Sequence, residues 1–157
     1  MAISQPQPLL LPLLVSLFFL PTALGATDFH NCNPLRKYPV KVKTVEISPD
    51  PVKINTNGNI TITGSTSIDI PDGATVNLNL RRYDVLISNR SYSLCDIVAC
   101  PVASGPIVVN FFNVFTQREL TPWGYFVSIS ITAEHQEDPM MCVSFTCRIT
   151  SEQTSLL

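Results

Sequence analysis

The stretch YFVSISITA, Tyr125 to Ala133, decides the fold: Tyr125, Val127, Ile129, Ile131 and Ala133 share one phase, while Ser128, Ser130 and Thr132 occupy the other. A β-strand sends successive side chains to opposite faces, so this pattern is a strand with one apolar and one wetted face. TPWG, Thr121 to Gly124, is a turn before it, and EHQEDP, Glu134 to Pro139, is the loop after it. A last strand follows over Met141 to Thr150, with Val143, Phe145, Cys147 and Ile149 in phase. Upstream, Val76, Leu78 and Leu80 alternate with Asn77, Asn79 and Arg81; Tyr83, Val85 and Ile87 continue on the opposite phase, so the chain bends or divides near Arg82. NITITGSTS, Asn59 to Ser67, puts Ile60 and Ile62 on one face, and IPDG, Ile70 to Gly73, turns the chain. VKVKTVEI, Val40 to Ile47, slips phase near Thr44, which predicts a bulge. IVVNFFNVF, Ile107 to Phe115, is apolar on both phases, which predicts burial on both sides or a lined interior. No segment of ten or more residues shows a helical period. About seven short strands separated by turns specify an all-β, immunoglobulin-like two-sheet β-sandwich.

MAISQPQPLLLPLLVSLFFLPTALG carries no charged side chain, and its apolar run from Leu9 to Leu20 is followed by small residues Ala23 and Gly25. That predicts a signal peptide over residues 1–25, its apolar run too short for the ~20 residues of a spanning helix. About 130 residues remain, enough for one domain with a real core. The expected compartment is oxidising: secreted to the extracellular space or apoplast, or delivered to a vacuole or another endomembrane lumen. Two sequons, at Asn59 and Asn89, are candidate glycosylation sites there. A formal net charge of −2 argues against a nucleic-acid partner. Half of the ten basic residues nonetheless fall in one early segment: Arg36, Lys37, Lys41, Lys43 and Lys53. They are either solvated side chains of an outer strand or a surface drawn to anionic lipid headgroups.

In such a compartment cysteines read as disulfides. C-x-x-C and H-E-x-x-H are absent, and no metal or cofactor is expected. Cys142 and Cys147 lie five apart on one strand and so face opposite sides. Cys147 shares the apolar phase and is assigned as a buried free thiol. Cys95 and Cys100 make the local bridge, which leaves Cys32 for Cys142. In the loop-entropy description the short ring contributes ~2 kcal/mol and the long one ~5 kcal/mol.

FHNC at Phe29 to Cys32, YPVKVKTVEISPDPVK, SLCDIVACPV, TPWGYFVSISI and MMCVSFTCRI together resemble the ML lipid-recognition domain family. The likeness is strongest to its plant secreted members described as phosphatidylglycerol/phosphatidylinositol transfer protein-like, and it runs from Phe29 to Ile149. It implies a domain over residues 26–150, a short tail over 151–157, and two sheets splayed around a lipid cavity. Family members bind sterols, phospholipids or glycolipid acyl chains, and several carry lipid between membranes or present it to a receptor. In the family the first and last cysteines pair, as do the two of the CPV loop, matching Cys32 with Cys142 and Cys95 with Cys100. A further early bridge of sterol-carrying relatives has no counterpart here, and Cys147 is a departure.

Phe111, Phe112, Val114 and Phe115, with Trp123, Tyr125 and Phe126 nearby in sequence, supply more aromatic surface than one core face needs. By themselves these rings are accounted for by filling the core or covering a sheet edge. With the resemblance, the inward residues Val76, Leu78, Leu80, Val109, Phe111, Phe115, Tyr125, Val127, Ile129, Val143 and Phe145 become the expected lipid contacts, with Arg36, Lys37, Lys41 and Lys43 at the headgroup or membrane. The alternative function is a secreted immunoglobulin-like interaction module that engages a protein without lipid. No G-x-S-x-G occurs, His30 and His135 are the two histidines, and Glu134, His135, Glu137 and Asp138 read as solvated loop residues, so no enzyme is expected. The expected partners are a sterol or phospholipid, transient contact with a membrane surface, and a receptor or membrane protein, for a monomeric chain.

Overall fold

The computed structural model describes residues 26–54, 56–115 and 121–151; the expected signal peptide and residues 152–157 of the tail lie outside the described residues. Among the described residues nine strands form: β1 (Phe29–Asn31), β2 (Val40–Ser48), β3 (Val52–Lys53), β4 (Asn59–Thr66), β5 (Thr75–Arg82), β6 (Val85–Ser93), β7 (Gly105–Phe111), β8 (Gly124–Thr132) and β9 (Met141–Thr150). The larger sheet runs β1-β9-β8-β5-β6, with β3 also on β9, and the smaller runs β2-β4-β7.

The antiparallel registers turn each strand's alternation into rows. Val76, Leu78 and Leu80 stand opposite Ile131, Ile129 and Val127, and the last two stand opposite Val143 and Phe145. In the smaller sheet, Ile47, Ile60 and Phe111 make one row and Val45, Ile62 and Val109 the next. All of these are buried in one apolar cluster between the sheets. Full burial of each such side chain contributes about 1.5–3 kcal/mol, so the two facing row sets are the main source of stability.

The predicted bulge lies between Val42 and Thr44, where Lys43 has no partner on β4. Gly64 stands opposite Val42, and a Cβ there would run into the Lys41 carbonyl, so the bulge and the glycine fit each other. The division near Arg82 is a hairpin, with Arg82 paired to Val85 across Tyr83 and Asp84. Tyr83 occupies the left-handed region at φ 53°, which costs a residue with a Cβ about 1–2 kcal/mol.

One expectation needs correction. Ile107 to Phe115 is not buried on both sides: Ile107, Val109 and Phe111 point inward, but Val108 is half-exposed and Phe112 is 72% exposed. The strand is an outer strand of a two-layer structure, so only one of its faces can be covered. The chain leaves strand geometry after Phe111, and Val114 and Phe115 then fold back into the core. The aromatic excess divides likewise: Phe111, Phe115 and Tyr125 are buried, whereas Phe112, Trp123 and Phe126 are exposed.

Both disulfides form as expected, Cys32–Cys142 with Cα atoms 5.4 Å apart and Cys95–Cys100 with 5.3 Å. The long bridge sits where the sheets are also laced by hydrogen bonds. The Cys32 N–H donates to the Cys142 carbonyl, Val40 N–H to Met140 and Thr27 N–H to Val45. Cys147 is buried and unpaired, and burial, helped by Asp50, pushes its thiol up to about 12 from 9.0.

Gly64→Ala should destabilise the fold by about 1–3 kcal/mol, read as a lower urea midpoint. Cys147 should resist thiol reagents at neutral pH until the protein unfolds. A raised native pKa leaves stability intact below the ordinary thiol range and removes it as pH climbs from 9.0 toward about 12, because only the unfolded chain ionises there. Cys147→Ala should therefore show a shallower alkaline loss of urea midpoint than the parent.

Candidate functional site: the open edge between β6 and β7

The two long sides of the sandwich differ. On the β2/β9 side backbone hydrogen bonds from Val40 to Met140 and from Thr27 to Val45 join the sheets, beside the disulfide that ties the end of β1 to β9 within the larger sheet. On the other side β6 ends one sheet and β7 ends the other, with no ladder between them among the described residues. The inner phase of β6 is set by its pairing with β5: Ser88, Arg90 and Tyr92 stand opposite Leu80, Leu78 and Val76. These positions belong to the inward face, yet they are polar or amphipathic and only half-buried. They line an edge rather than a core.

Side chains reach across this edge. The Arg90 guanidinium Nη1 donates to the Val114 carbonyl at 2.6 Å, and the rings of Tyr92 and Phe111 lie 6.2 Å apart and tilted. Beside them opens a groove of about 210 Å³ lined by Tyr92, Asp96, Ile97, Asn110, Phe111 and Phe112. Asp96 and Ile97 lie inside the Cys95–Cys100 ring, which thus supplies one lip. The ring is itself pinned: Leu94, buried at its start, donates its N–H to the Ala74 carbonyl, and Val102 exchanges two backbone hydrogen bonds with Ile70 after it.

All eleven expected lipid contacts, Val76, Leu78, Leu80, Val109, Phe111, Phe115, Tyr125, Val127, Ile129, Val143 and Phe145, are buried in the single cluster between the sheets. Of these, Phe111 also lines the groove, so it connects the interior to the edge. Phe115 packs against Gly58, where a Cβ would come within 2.8 Å of its ring. Tyr125 keeps its hydroxyl satisfied by hydrogen bonding to the Thr121 hydroxyl.

The basic segment splits. Arg36, Lys37 and Lys41 line a separate groove of about 660 Å³ with Phe29, His30 and Tyr38, whereas Lys43 sits at the bulge. Arg36 is already engaged, 2.5 Å from Asp138 and over the Tyr38 ring. The hydrogen bond and charge of that pair raise the arginine's pKa and lower the carboxyl's. In the same loop His135 Nε2 lies 3.5 Å from Glu134, both exposed. Asp72, Cys95 and Cys100 also converge, but both sulfurs are spent in the disulfide and cannot ligate a metal as thiolates. Of the sequons, Asn89 is exposed, while Asn59 is half-buried and its side-chain oxygen accepts the Asn113 N–H.

The sequence reading missed Arg90, Tyr92, Asp96 and Ile97 as edge residues. The signal was available in part: once Arg82 and Val85 are paired in a hairpin, Tyr92 and Arg90 fall opposite Val76 and Leu78. That two outer strands then face each other without pairing is a property of the assembled sheets.

Comparison with known proteins agrees with this architecture. Residues 26–149 match the family model of the ML domain. An MD-2-related lipid-recognition protein of Arabidopsis thaliana, ROSY1, is 53% identical, with 99% of this chain and 97% of the relative covered. MD-2-related lipid-recognition protein 3 of the same plant is 36% identical over 92% and 93% of the two chains. Among solved structures, the C-terminal domain of wzt superposes with a TM-score of 0.55 at 14% identity, over 79% of this chain and 78% of that one, a likeness of fold alone. With a family model spanning nearly all of the described chain and relatives matched along their full length, this protein belongs to the ML domain family.

Proposed function

We propose that this protein binds one lipid, a sterol or a phospholipid, with its apolar portion between the sheets, and carries it between membranes or presents it to a receptor. The observation that supports this most is the unpaired β6/β7 edge, where Tyr92 and Phe111 lead into an interior built wholly of apolar side chains. The names of the two plant relatives as lipid-recognition proteins agree with it. A groove of about 210 Å³ is smaller than the ~300–1,000 Å³ of typical ligand sites, so uptake requires β6 and β7 to part. No ladder among the described residues has to break for this, though the contacts of Arg90 with Val114 and Tyr92 with Phe111 do. Each methylene transferred inside gains ~0.8 kcal/mol, which offsets the loss of packing between the sheets.

Arg90, whose guanidinium donates to the Val114 carbonyl across this edge, stands where a polar headgroup would remain as the tail enters. Two disulfides and the leader-like N-terminal sequence support a secreted or lumenal protein. Asn89, exposed on the outer edge strand, is the better glycan acceptor of the two sequons. The role is binding rather than catalysis.

Protein secreted from a eukaryotic host should carry one lipid by native mass spectrometry, identifiable after extraction. An empty protein that takes up neither phospholipid nor sterol would refute the proposal, and recovery of a protein partner by affinity capture in its place would favour an interaction module. Tyr92→Asp should lower uptake about tenfold, ~1.4 kcal/mol, with a much smaller change in thermal stability than Phe111→Asp. Cys95→Ser with Cys100→Ser should leave a folded protein with impaired uptake, whereas Cys32→Ser should impair folding and secretion. Equal, severe folding defects in both would make the small ring a general staple.

A further inference from the structure

The exposed large apolar side chains of the described residues are not scattered. Apart from Leu35, Ile68 and Val108 they lie on β6, the hairpin before it, the start of β8 and the segment after β7: Tyr83, Val85, Leu86, Ile87, Phe112, Trp123 and Phe126. Most of them converge on one end of the larger sheet. Tyr83 and Trp123 meet edge to face at 6.3 Å, and the Arg82 guanidinium lies 4.7 Å from the Trp123 ring centre. Phe126 and Leu86 flank Arg81 as direct cross-strand neighbours, and Arg148 stands opposite Gly124, next to Trp123.

We propose that this end, the β5–β6 hairpin with the start of β8, is a docking surface for anionic membranes. It is distinct from the lysine-bearing groove beside β1 and β2, and it stands whether or not the interior holds lipid. Three properties select a lipid surface as occupant. Val85, Leu86 and Ile87 are successive residues, 62%, 48% and 42% exposed, so both faces of the strand end are apolar and uncovered. A shaped protein partner covers one face of a strand, whereas a bilayer interface surrounds both. The charge is complementary: Arg81 and Arg82 lead into the hairpin, with Asp84 as its acid, and Arg148 stands beside Trp123, in a chain of net charge −2. Tyrosine and tryptophan with arginine beside them are the side chains that settle at the headgroup boundary, apolar body inward and polar tip in water.

The backbone is arranged for exposure. Tyr83 is held in the left-handed region, where asparagine or glycine is the usual occupant, with its ring 67% exposed at the tip. Trp123 is held by its carbonyl, which accepts the Ile149 N–H, while half of its side chain remains in solvent. A hollow of about 420 Å³ beside it contains Arg148, placed for a lipid phosphate. Phe112 extends the apolar surface along the edge on which the groove at Tyr92 opens, so docking would bring that opening toward the bilayer.

Trp123 is the one tryptophan of the chain, which makes its fluorescence a direct probe. The mature secreted protein should co-sediment with vesicles of equimolar phosphatidylcholine and phosphatidylglycerol, with blue-shifted emission quenched by lipids brominated on the acyl chain. Raising the salt should reverse binding, and phosphatidylcholine vesicles should bind much less. Arg81→Gln with Arg82→Gln should weaken binding about tenfold or more. Tyr83→Asn, which suits the left-handed backbone, should weaken it without lowering thermal stability, so a folding defect is not the cause. Lys37→Gln with Lys41→Gln should leave it unchanged. Unshifted emission with protein left in the supernatant, equal binding to both vesicle types, or dependence on Lys37 and Lys41 in place of Arg81 and Arg82 would each overturn the proposal. Native mass spectrometry of the same preparation separates the two readings. A lipid-loaded protein that ignores vesicles refutes only this surface, and an empty protein that binds them through Arg81 and Arg82 supports it and refutes only the cargo.

Discussion

The structure depends on one constraint: the period-two alternation of β5, β8 and β9 is held in register, so Leu78, Ile129 and Val143 form one row and Leu80, Val127 and Phe145 the next. A slip of one residue in any of these strands would turn its whole apolar set to water. The smaller sheet meets this surface with its own rows from Val45, Ile47, Ile60, Ile62, Val109 and Phe111. The Lys43 bulge sits on the smaller sheet, where Gly64 leaves room for it, so the larger sheet's rows remain continuous.

Everything that bears on function lies at the margins of that packing. The sheets are unequal in width, and one pair of facing margins is tied by the Val40–Met140 and Thr27–Val45 hydrogen bonds, next to the Cys32–Cys142 bridge. The other pair shares no ladder among the described residues and is bridged by side chains, Arg90 to the Val114 carbonyl and Tyr92 to Phe111. That asymmetry leaves one side hydrogen-bonded between the sheets and the other without a ladder among the described residues. The Cys95–Cys100 ring stiffens the latter side without closing it, since Leu94 is buried while Asp96 and Ile97 remain at the lip. Tyr83, Val85, Leu86 and Ile87 stand exposed at the start of the same edge strand, β6, and in the turn before it, so the proposed docking surface adjoins the proposed opening.

Much of this was legible in the residues. Strand positions, the bulge near Thr44, the division near Arg82, both disulfides and the burial of Cys147 follow from alternation and from cysteine phase, which are local properties. The resemblance carried by FHNC and LCDIVACPV led to the family that the comparisons establish. Phe112, Trp123 and Phe126 were misread because hydrophobicity alone does not say whether a neighbouring layer exists to cover a side chain. Arg36 looked like a free cation because its partner, Asp138, lies about a hundred residues away in sequence.

The amino-acid sequence by itself determined which residues share a face, since alternation along a strand is a covalent and steric property of the chain. It also set Cys142 and Cys147 on opposite faces of their strand, because residues five apart on a strand point to opposite sides. Only the tertiary structure decided which faces are covered and which edges stay open. Those outcomes depend on how many strands each sheet gathers and where the shorter sheet ends. Tyr92 meets Phe111, Arg90 meets Val114 and Tyr83 meets Trp123 because two sheets of different width were laid face to face.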